Sequence, residues 1–251
     1  ISAMRGHEVT LFDKRSELGG QINYAVKIPG KQEFYEVLRF YRVMLEKYGV
    51  ELKLGQAVYQ ETLAAGNYDA VVLATGVQPR ELELEGADHA KVLSYLDVLD
   101  GECPVGNKVA VIGAGGIGID VAHFLTAKTP FSGEVPEYLQ GYGILNSEKA
   151  MALRKPKKRE VTVLQRSADK IGKRLGKTTG WAHIQTLKSH GVEFLSGATY
   201  LKIDDAGLHV KVALKKGEEA QEIVMDVDNV IVAAGQEPRL DLEAPLIEAG
   251  F

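Results

Sequence analysis

The sequence predicts an α/β fold built from two dinucleotide-binding units, one nested inside the other, and two observations carry that prediction. First, Val109-Ala-Val-Ile-Gly113-Ala-Gly115-Gly-Ile-Gly118 runs into Ile119-Asp-Val-Ala-His-Phe-Leu125, giving an apolar strand, a glycine-rich turn and an apolar helix opening in that order. In such a GxGxxG turn the first glycine permits the tight turn, the second lets the backbone approach a pyrophosphate, and the third lets helix pack on strand. The helix N-terminus then faces the phosphates with free N–H groups. Second, Val72-Leu-Ala-Thr-Gly-Val-Gln-Pro-Arg80 and Val232-Ala-Ala-Gly-Gln-Glu-Pro-Arg239 follow one plan, an apolar run closing on small residues and a Pro-Arg loop. A single long α/β domain with repeated loop types is the alternative for 251 residues.

Composition bounds the partners. A 45% hydrophobic chain of this length can bury a substantial core, and 30 cations against 34 acids give a net charge of -4. No long block of like charge points to a nucleic-acid or membrane surface, so the expected partners are small molecules or protein. No apolar run approaches the roughly 18 to 20 residues of a membrane span, and Ile1-Ser-Ala-Met-Arg-Gly6 lacks a signal-peptide pattern, so a cytoplasmic location is expected. The single cysteine, Cys103, lies in a turn-like Gly-Glu-Cys-Pro segment. That leaves no internal disulfide, no CxxC redox pair and no cysteine set for zinc or an iron-sulfur cluster, and no metal site is expected.

Along the chain, Ile1 to Gly6 reads as the tail of a helix, and His7-Glu-Val-Thr-Leu-Phe-Asp13 as a short buried strand ending on an acid. An acid there holds a ribose hydroxyl roughly 20 residues after a glycine loop, so Asp13 is expected to serve a loop upstream of residue 1. A flexible turn, Leu18-Gly-Gly-Gln21, precedes an amphipathic helix from about Gln32 to Tyr48, stopped by Gly49. Val50 to Leu54 reads as a strand, and Tyr68-Asp-Ala-Val-Val-Leu-Ala-Thr-Gly76 as a buried strand ending on small residues. In the second unit, Glu160 to Arg166 is the second strand, Trp181 to His190 a helix stopped by Gly191, and Val192 to Leu195 a strand. Two alternating strands follow at Leu208 to Leu214 and Glu222 to Met225, and the unit closes on Asn229 to Pro238. Thr178 and Thr179 are placed to cap the 181–190 helix. An insertion at about 126–160 ends in the basic run Arg154-Lys-Pro-Lys-Lys-Arg159, expected to be a solvated loop.

The end of the second strand identifies the nucleotide. A free ribose 2'-hydroxyl wants a carboxylate there, whereas a 2'-phosphate is repelled by one and wants arginine. This chain has Gln165-Arg166, followed by Lys170, Lys173, Arg174 and Lys177 with one acid, Asp169. The pattern favours NADPH over NADH, with a merely basic solvated face as the alternative. Arg166 is the sharper candidate, because its planar guanidinium can stack on adenine or grip a phosphate with two bonds. Hydride transfer needs no acid or base from the protein, so no catalytic residue is expected. His123, His183 and His190 read as surface or packing residues.

Several stretches together resemble the C-terminal region of the bacterial NADPH-dependent 2,4-dienoyl-CoA reductases, flavoproteins of the old-yellow-enzyme-like group that includes trimethylamine dehydrogenase. They are Leu18–Gln21, Lys91–Leu99, Val105–Gly118, Leu164-Gln-Arg166, Leu175-Gly-Lys-Thr-Thr-Gly-Trp181, Lys202–Val210 and Ala234–Pro238, and they span nearly the whole chain. Gly-Lys-Thr-Thr-Gly-Trp and Leu-Gln-Arg are the specific ones, since many flavoenzymes share the glycine loop. The resemblance implies a Rossmann-like NAD(P)-binding domain at 87–230, nested in a partial FAD-binding domain at 1–86 and 231–251. The layering it implies is three-layer β/β/α, as in glutathione reductase. Gly113, Ala114, Gly115, Gly116, Ile117, Gly118, Gln165, Arg166 and Lys173 are expected to hold NADPH, and Ala234, Gly235 and Gln236, in a matching stretch, are expected to bind cofactor as well. Asp13, Lys14, Gly19, Gly20, Gln21, Thr75 and Gly76 match family positions that would line FAD, and Ala74 beside them is expected to bind cofactor. It further implies an N-terminal barrel, expected outside this chain, that carries FMN, an iron-sulfur cluster and the substrate site. Electrons would pass from NADPH to FAD, then through the cluster to FMN and a dienoyl thioester. The chain is thus expected to be an electron-input module truncated at both ends. The alternatives are a module of another NAD(P)H:flavin oxidoreductase of the same group, or a nucleotide-binding domain without catalysis in isolation.

Overall fold

A computed structural model describes residues 1–127, 159–213 and 218–251. The chain forms two compact units, one of residues 1–78 with 236–251, the other of residues 79–235. These cuts stand beside expected ones at 86/87 and 230/231. Residues 79–86 belong to the inner unit because Glu85 bridges to Lys202 and its carbonyl accepts from the Ile203 amide. Ile231 and Val232 belong there because they extend a central strand.

In the outer unit, a single 3-10 turn at Ala3–Arg5 stands where a helix tail was expected. Strand β1 (Thr10–Asp13) pairs in parallel with β2 (Glu51–Leu54). Between them lie helix α1 (Ile22–Ala25) and helix α2 (Phe34–Lys47), and α3 (Gln60–Ala65) follows. Gly49 ends α2 in the left-handed region at φ +63°, a conformation that costs glycine little.

The expected strand at 68–76 does not form. Residues 70–76 carry no regular structure, and Val72 is 88% exposed. A strand is held by its neighbours' backbone groups, and no described strand flanks this run, so its apolar composition has no ladder to join. Beyond it, β3 (Val77–Pro79) leads into the inner unit.

The inner unit is built on a five-stranded sheet. Its strands are β4 (Val92–Ser94), β5 (Lys108–Ile112), β6 (Glu160–Gln165), β7 (Glu193–Ser196) and β11 (Asn229–Val232), in the order β4-β11-β5-β6-β7, all parallel. A second sheet, antiparallel and three-stranded, comprises β8 (Thr199–Asp204), β9 (Gly207–Val212) and β10 (Gln221–Met225). The two sheets share a core in which Ala110, Ile112, Leu164 and Val230 meet Ile203, Leu208, Val210 and Val212. Alternation along β5 turns Val109 and Val111 to the opposite face, and both are fully buried. Helices α4 (Tyr95–Asp100), α5 (Gly116–Thr126) and α6 (Gly180–Ser189) belong to this layer: α5 packs on β5 and β6, and α4 and α6 flank α5. The unit therefore has the expected β/β/α layering. A strand buried on both faces reads as a continuous apolar run, which is why Val109 to Ile112 was legible. The chain returns through β12 (Gln236–Pro238), paired with β3, and ends in helix α7 (Glu243–Glu248).

Two further expectations are corrected. Thr179 stands at the N-cap of α6 but makes no capping bond, because its backbone is already near-helical at φ -118°, ψ -18°. The turn is instead closed by the Gly180 amide donating to the Gly176 carbonyl. Residues 128–158, including most of the insertion and Arg154 to Lys158, lie outside the described residues. Arg159 is no solvated cation: its guanidinium donates to the carbonyls of Gly106 at 3.1 Å and Leu125 at 3.2 Å, tying the approach to β5 to the end of α5.

Candidate functional site

The glycine turn divides into two kinds of glycine. At Gly113, with φ +114°, a Cβ would run into the Ala233 carbonyl, and at Gly118 into the carbonyl of Gly113. Those two positions are glycine because the fold leaves no room. At Gly115 and Gly116 a Cβ would meet nothing within 4 Å, and Gly115 has φ -78°, open to any residue. The fold does not require glycine there. These two exposed glycines form the opening of α5, which no side chain caps, so its first N–H groups face an open backbone edge. Ala114 is buried at the root of the turn, and Ile117 is half-buried. The arrangement suits an anion at a helix N-terminus.

One strand away, β6 ends at Gln165. Its side-chain Nε2 donates to the Ser167 carbonyl at 2.9 Å and to the Asp169 carbonyl, so the amide folds back over its own turn. Arg166, at the apex, is exposed and has no hydrogen bond or ion pair among the described residues. Burial pushes the Tyr200 hydroxyl up to about 12, against the pull of the Arg166 charge, so a neutral phenol lies near that guanidinium. Lys173 is not a free cation: it pairs with Asp169 at 2.8 Å, which holds the Asp169 carboxyl below its ordinary range. On the far side of β5 from Arg166, a cavity of about 360 Å³ opens at the ends of β4 and β11, lined by Ser94, Val232, Arg80 and Leu82 among others.

The end of β11 leads into Ala233-Ala234-Gly235. The Ala233 amide donates to the Ile112 carbonyl, Ala234 packs against the inner-unit core, and Gly235 turns at φ +123°. The Arg80 amide donates to the Gly235 carbonyl at 3.1 Å, and the Arg239 amide to the Gly76 carbonyl at 3.0 Å. The repeated Gly-x-x-Pro-Arg segments are thereby set side by side with matching bonds. In the outer unit, Gln236 donates to Gln21 at 3.0 Å, bringing two expected site residues together. Thr75 spends its hydroxyl on the Arg239 carbonyl. Asp13 accepts from the Arg15 amide at 2.9 Å, Lys14 is exposed, and Gly20, at φ +50°, faces open space, whereas Gly19 is hemmed in by Leu38 and Asn23. Ala74 lies in the unpaired run and joins no site among the described residues. No group of three or more His, Cys, Asp or Glu side chains among the described residues could hold a metal.

A β/β/α unit with an uncapped helix behind a glycine turn, lying in sequence within a second parallel unit, has the architecture of a Rossmann-like FAD/NAD(P)-binding fold. Residues 2–250 match the pyridine nucleotide-disulphide oxidoreductase family, and the chain belongs to it. It is 27% identical over 246 residues to a metal reductase of Desulforamulus reducens, covering 96% of this chain and 36% of that protein. A structure of 2-naphthoyl-CoA reductase in complex with 2-naphthoyl-CoA matches with a TM-score of 0.78 at 26% identity, over 98% of this chain and 32% of that one. An engineered water-forming NADPH oxidase bound to NADPH shares the fold, with a TM-score of 0.50 at 18% identity over 94% of this chain and 50% of its own. The chain thus spans about a third of the length of the first two of these proteins. No helix among the described residues is long and apolar enough to cross a membrane.

Proposed function

We propose that this chain is the NADPH-binding, electron-input module of a longer NADPH-dependent flavin reductase of the 2,4-dienoyl-CoA reductase kind. The observation that carries the reading is the open glycine edge at Gly115 and Gly116 after β5, together with an Arg166 free of hydrogen bonds and ion pairs among the described residues, just past the end of the neighbouring β6. A pyrophosphate fits where no Cβ stands and helix N–H groups converge, and a 2'-phosphate fits a guanidinium with no competing carboxylate at the strand end. The engineered NADPH oxidase supports this. Three of its five substitutions turn a consecutive Asp-Ala-Met into Ala-Arg-Ser, and its parent, from Lactobacillus brevis, is an NADH oxidase. This chain likewise has an arginine, Arg166, and no carboxylate at the end of β6.

The nicotinamide would supply a hydride and FAD would accept it. The chain's own work is positional: Gly113 to Gly118 hold the phosphates, Arg166 the adenosine end, and the β11 end with Ala234 and Gly235 borders the path toward the cavity by Ser94. The outer unit would hold FAD in part, through Asp13 and Gly20, while Gln21 is bonded to Gln236 and Thr75 to the Arg239 carbonyl. FMN, an iron-sulfur cluster and the acyl-thioester site would belong to an N-terminal barrel of the longer protein, in the cytoplasm. The reductase complexed with 2-naphthoyl-CoA supports a conjugated thioester as the final acceptor.

Calorimetric titration tests the reading: NADPH should bind at least about tenfold more tightly than NADH, roughly 1.4 kcal/mol, and Arg166→Glu should abolish or reverse the preference. Equal affinities in the unaltered chain would remove the reading. The purified chain should be colourless, and a stoichiometric flavin spectrum would contradict a partial FAD site.

A further inference from the structure

Many dinucleotide folds end the second strand of the sheet on a carboxylate that accepts from a ribose hydroxyl. Here the residue is Gln165, and its side-chain amide folds back onto its own turn. Both of its partners, the carbonyls of Ser167 and Asp169, are acceptors, so only the amide NH2 can serve them. The same turn is tied from outside. The Ala198 amide donates to the Gln165 carbonyl at 3.0 Å and the Gly197 amide to the Ser167 carbonyl at 3.0 Å. The Asp169 amide donates to the Ser167 hydroxyl at 3.1 Å, and Asp169 pairs with Lys173. Only Arg166 is left without a partner among the described residues of this network.

We propose that Gln165 is a positioning residue that sets nucleotide preference by turning inward: its carboxamide braces the 165–169 turn, keeps negative charge from the strand end, and presents Arg166 to a 2'-phosphate. This rests on the NADPH reading above. A glutamate of the same shape has no hydrogen to donate, and its carboxylate would be repelled by the two carbonyl oxygens that now hold the amide. It would swing outward, where it can accept from a ribose 2'-hydroxyl and repel a 2'-phosphate. Preference is therefore set by whether the strand-end side chain donates or accepts, through a turn that points the neighbouring arginine.

The test is calorimetry on the full chain and its Gln165→Ala and Gln165→Glu variants, with NADPH, NADH, adenosine 2',5'-bisphosphate and AMP. Gln165→Ala should weaken NADPH and the bisphosphate about tenfold while NADH and AMP change less than twofold. Amide exchange at Asp169 and Gly197, whose amides donate to the Ser167 hydroxyl and carbonyl, should quicken in the same variant. Gln165→Glu should tighten NADH and weaken NADPH, so that the order inverts. Variants that keep the original preference, or that lose all four ligands in equal measure, would overturn the proposal while leaving the NADPH reading standing. If the unaltered chain does not distinguish NADPH from NADH, the underlying reading fails and this inference fails with it.

Discussion

Two stretches of nearly the same sequence meet opposite fates in this chain. Val230-Ile-Val232 becomes β11, hydrogen-bonded to β4 on one side and β5 on the other, with Val230 and Ile231 fully buried. Val71-Val-Leu-Ala74, before the matching Gly-x-x-Pro-Arg segment, stays without regular structure, its Val72 88% exposed. The difference lies outside the residues themselves. Apolar β-branched composition makes a run able to be a strand, but the ladder and the covering layer make it one.

The largest expected effect tests that contrast directly. Native-state hydrogen exchange should show the amides of Val230 to Val232 opening only with global unfolding, and those of residues 71–74 exchanging at least about a thousandfold faster. Comparable protection in both runs would break the comparison. Next in size are the two kinds of glycine. Gly118→Ala should cost about 2–3 kcal/mol through the collision with Gly113 and lower the melting temperature by several degrees. Gly115→Ala, with open space for its methyl, should melt within about a degree of the unaltered chain yet bind NADPH at least about tenfold more weakly. If both variants lose stability equally, the division of the turn into fold-required and ligand-required glycines is wrong.

The smallest effect concerns the β8–β9 hairpin. Lys202 and His209 hold the Asp204 carboxyl well below its ordinary value of 3.8. A lowered value means that the contribution is present above the unfolded carboxylate's titration and lost as pH falls through the folded one. Asp204→Asn should therefore lower the melting temperature slightly at pH 7, and the gap should shrink as the pH drops below about 4. A gap that widens in acid would reverse the assignment.

Much of the inner unit was legible because its signals are local or doubly enforced. The strand before Gly113, the glycine turn and the helix stopped by Gly191 each follow from a few adjacent residues. Strand β4 and helix α4 were not read as elements, although Ser94 and Asp97 form a reciprocal capping box that marks the start of α4. Strand β8 was missed because its alternation breaks at a register shift between Tyr200 and Lys202. At the site, the sequence located the end of β6 but not what Gln165 does there, since a carboxamide can serve equally as ligand or brace. The pairing that occupies Lys173 was readable in principle, as an acid, Asp169, lies only four residues before it in the same turn region. The run at 70–76 was misread for the opposite reason: its local signal is strong, and what it lacks is a neighbour.

The bond from the Arg80 amide to the Gly235 carbonyl joins the first residues of the inner unit to its last. A module whose two ends touch can be lifted from its host and grafted elsewhere without stretching either junction. Residues 79–235 thus begin and end at adjoining points of the chain, so the length between them does not part the β3–β12 pair that flanks it.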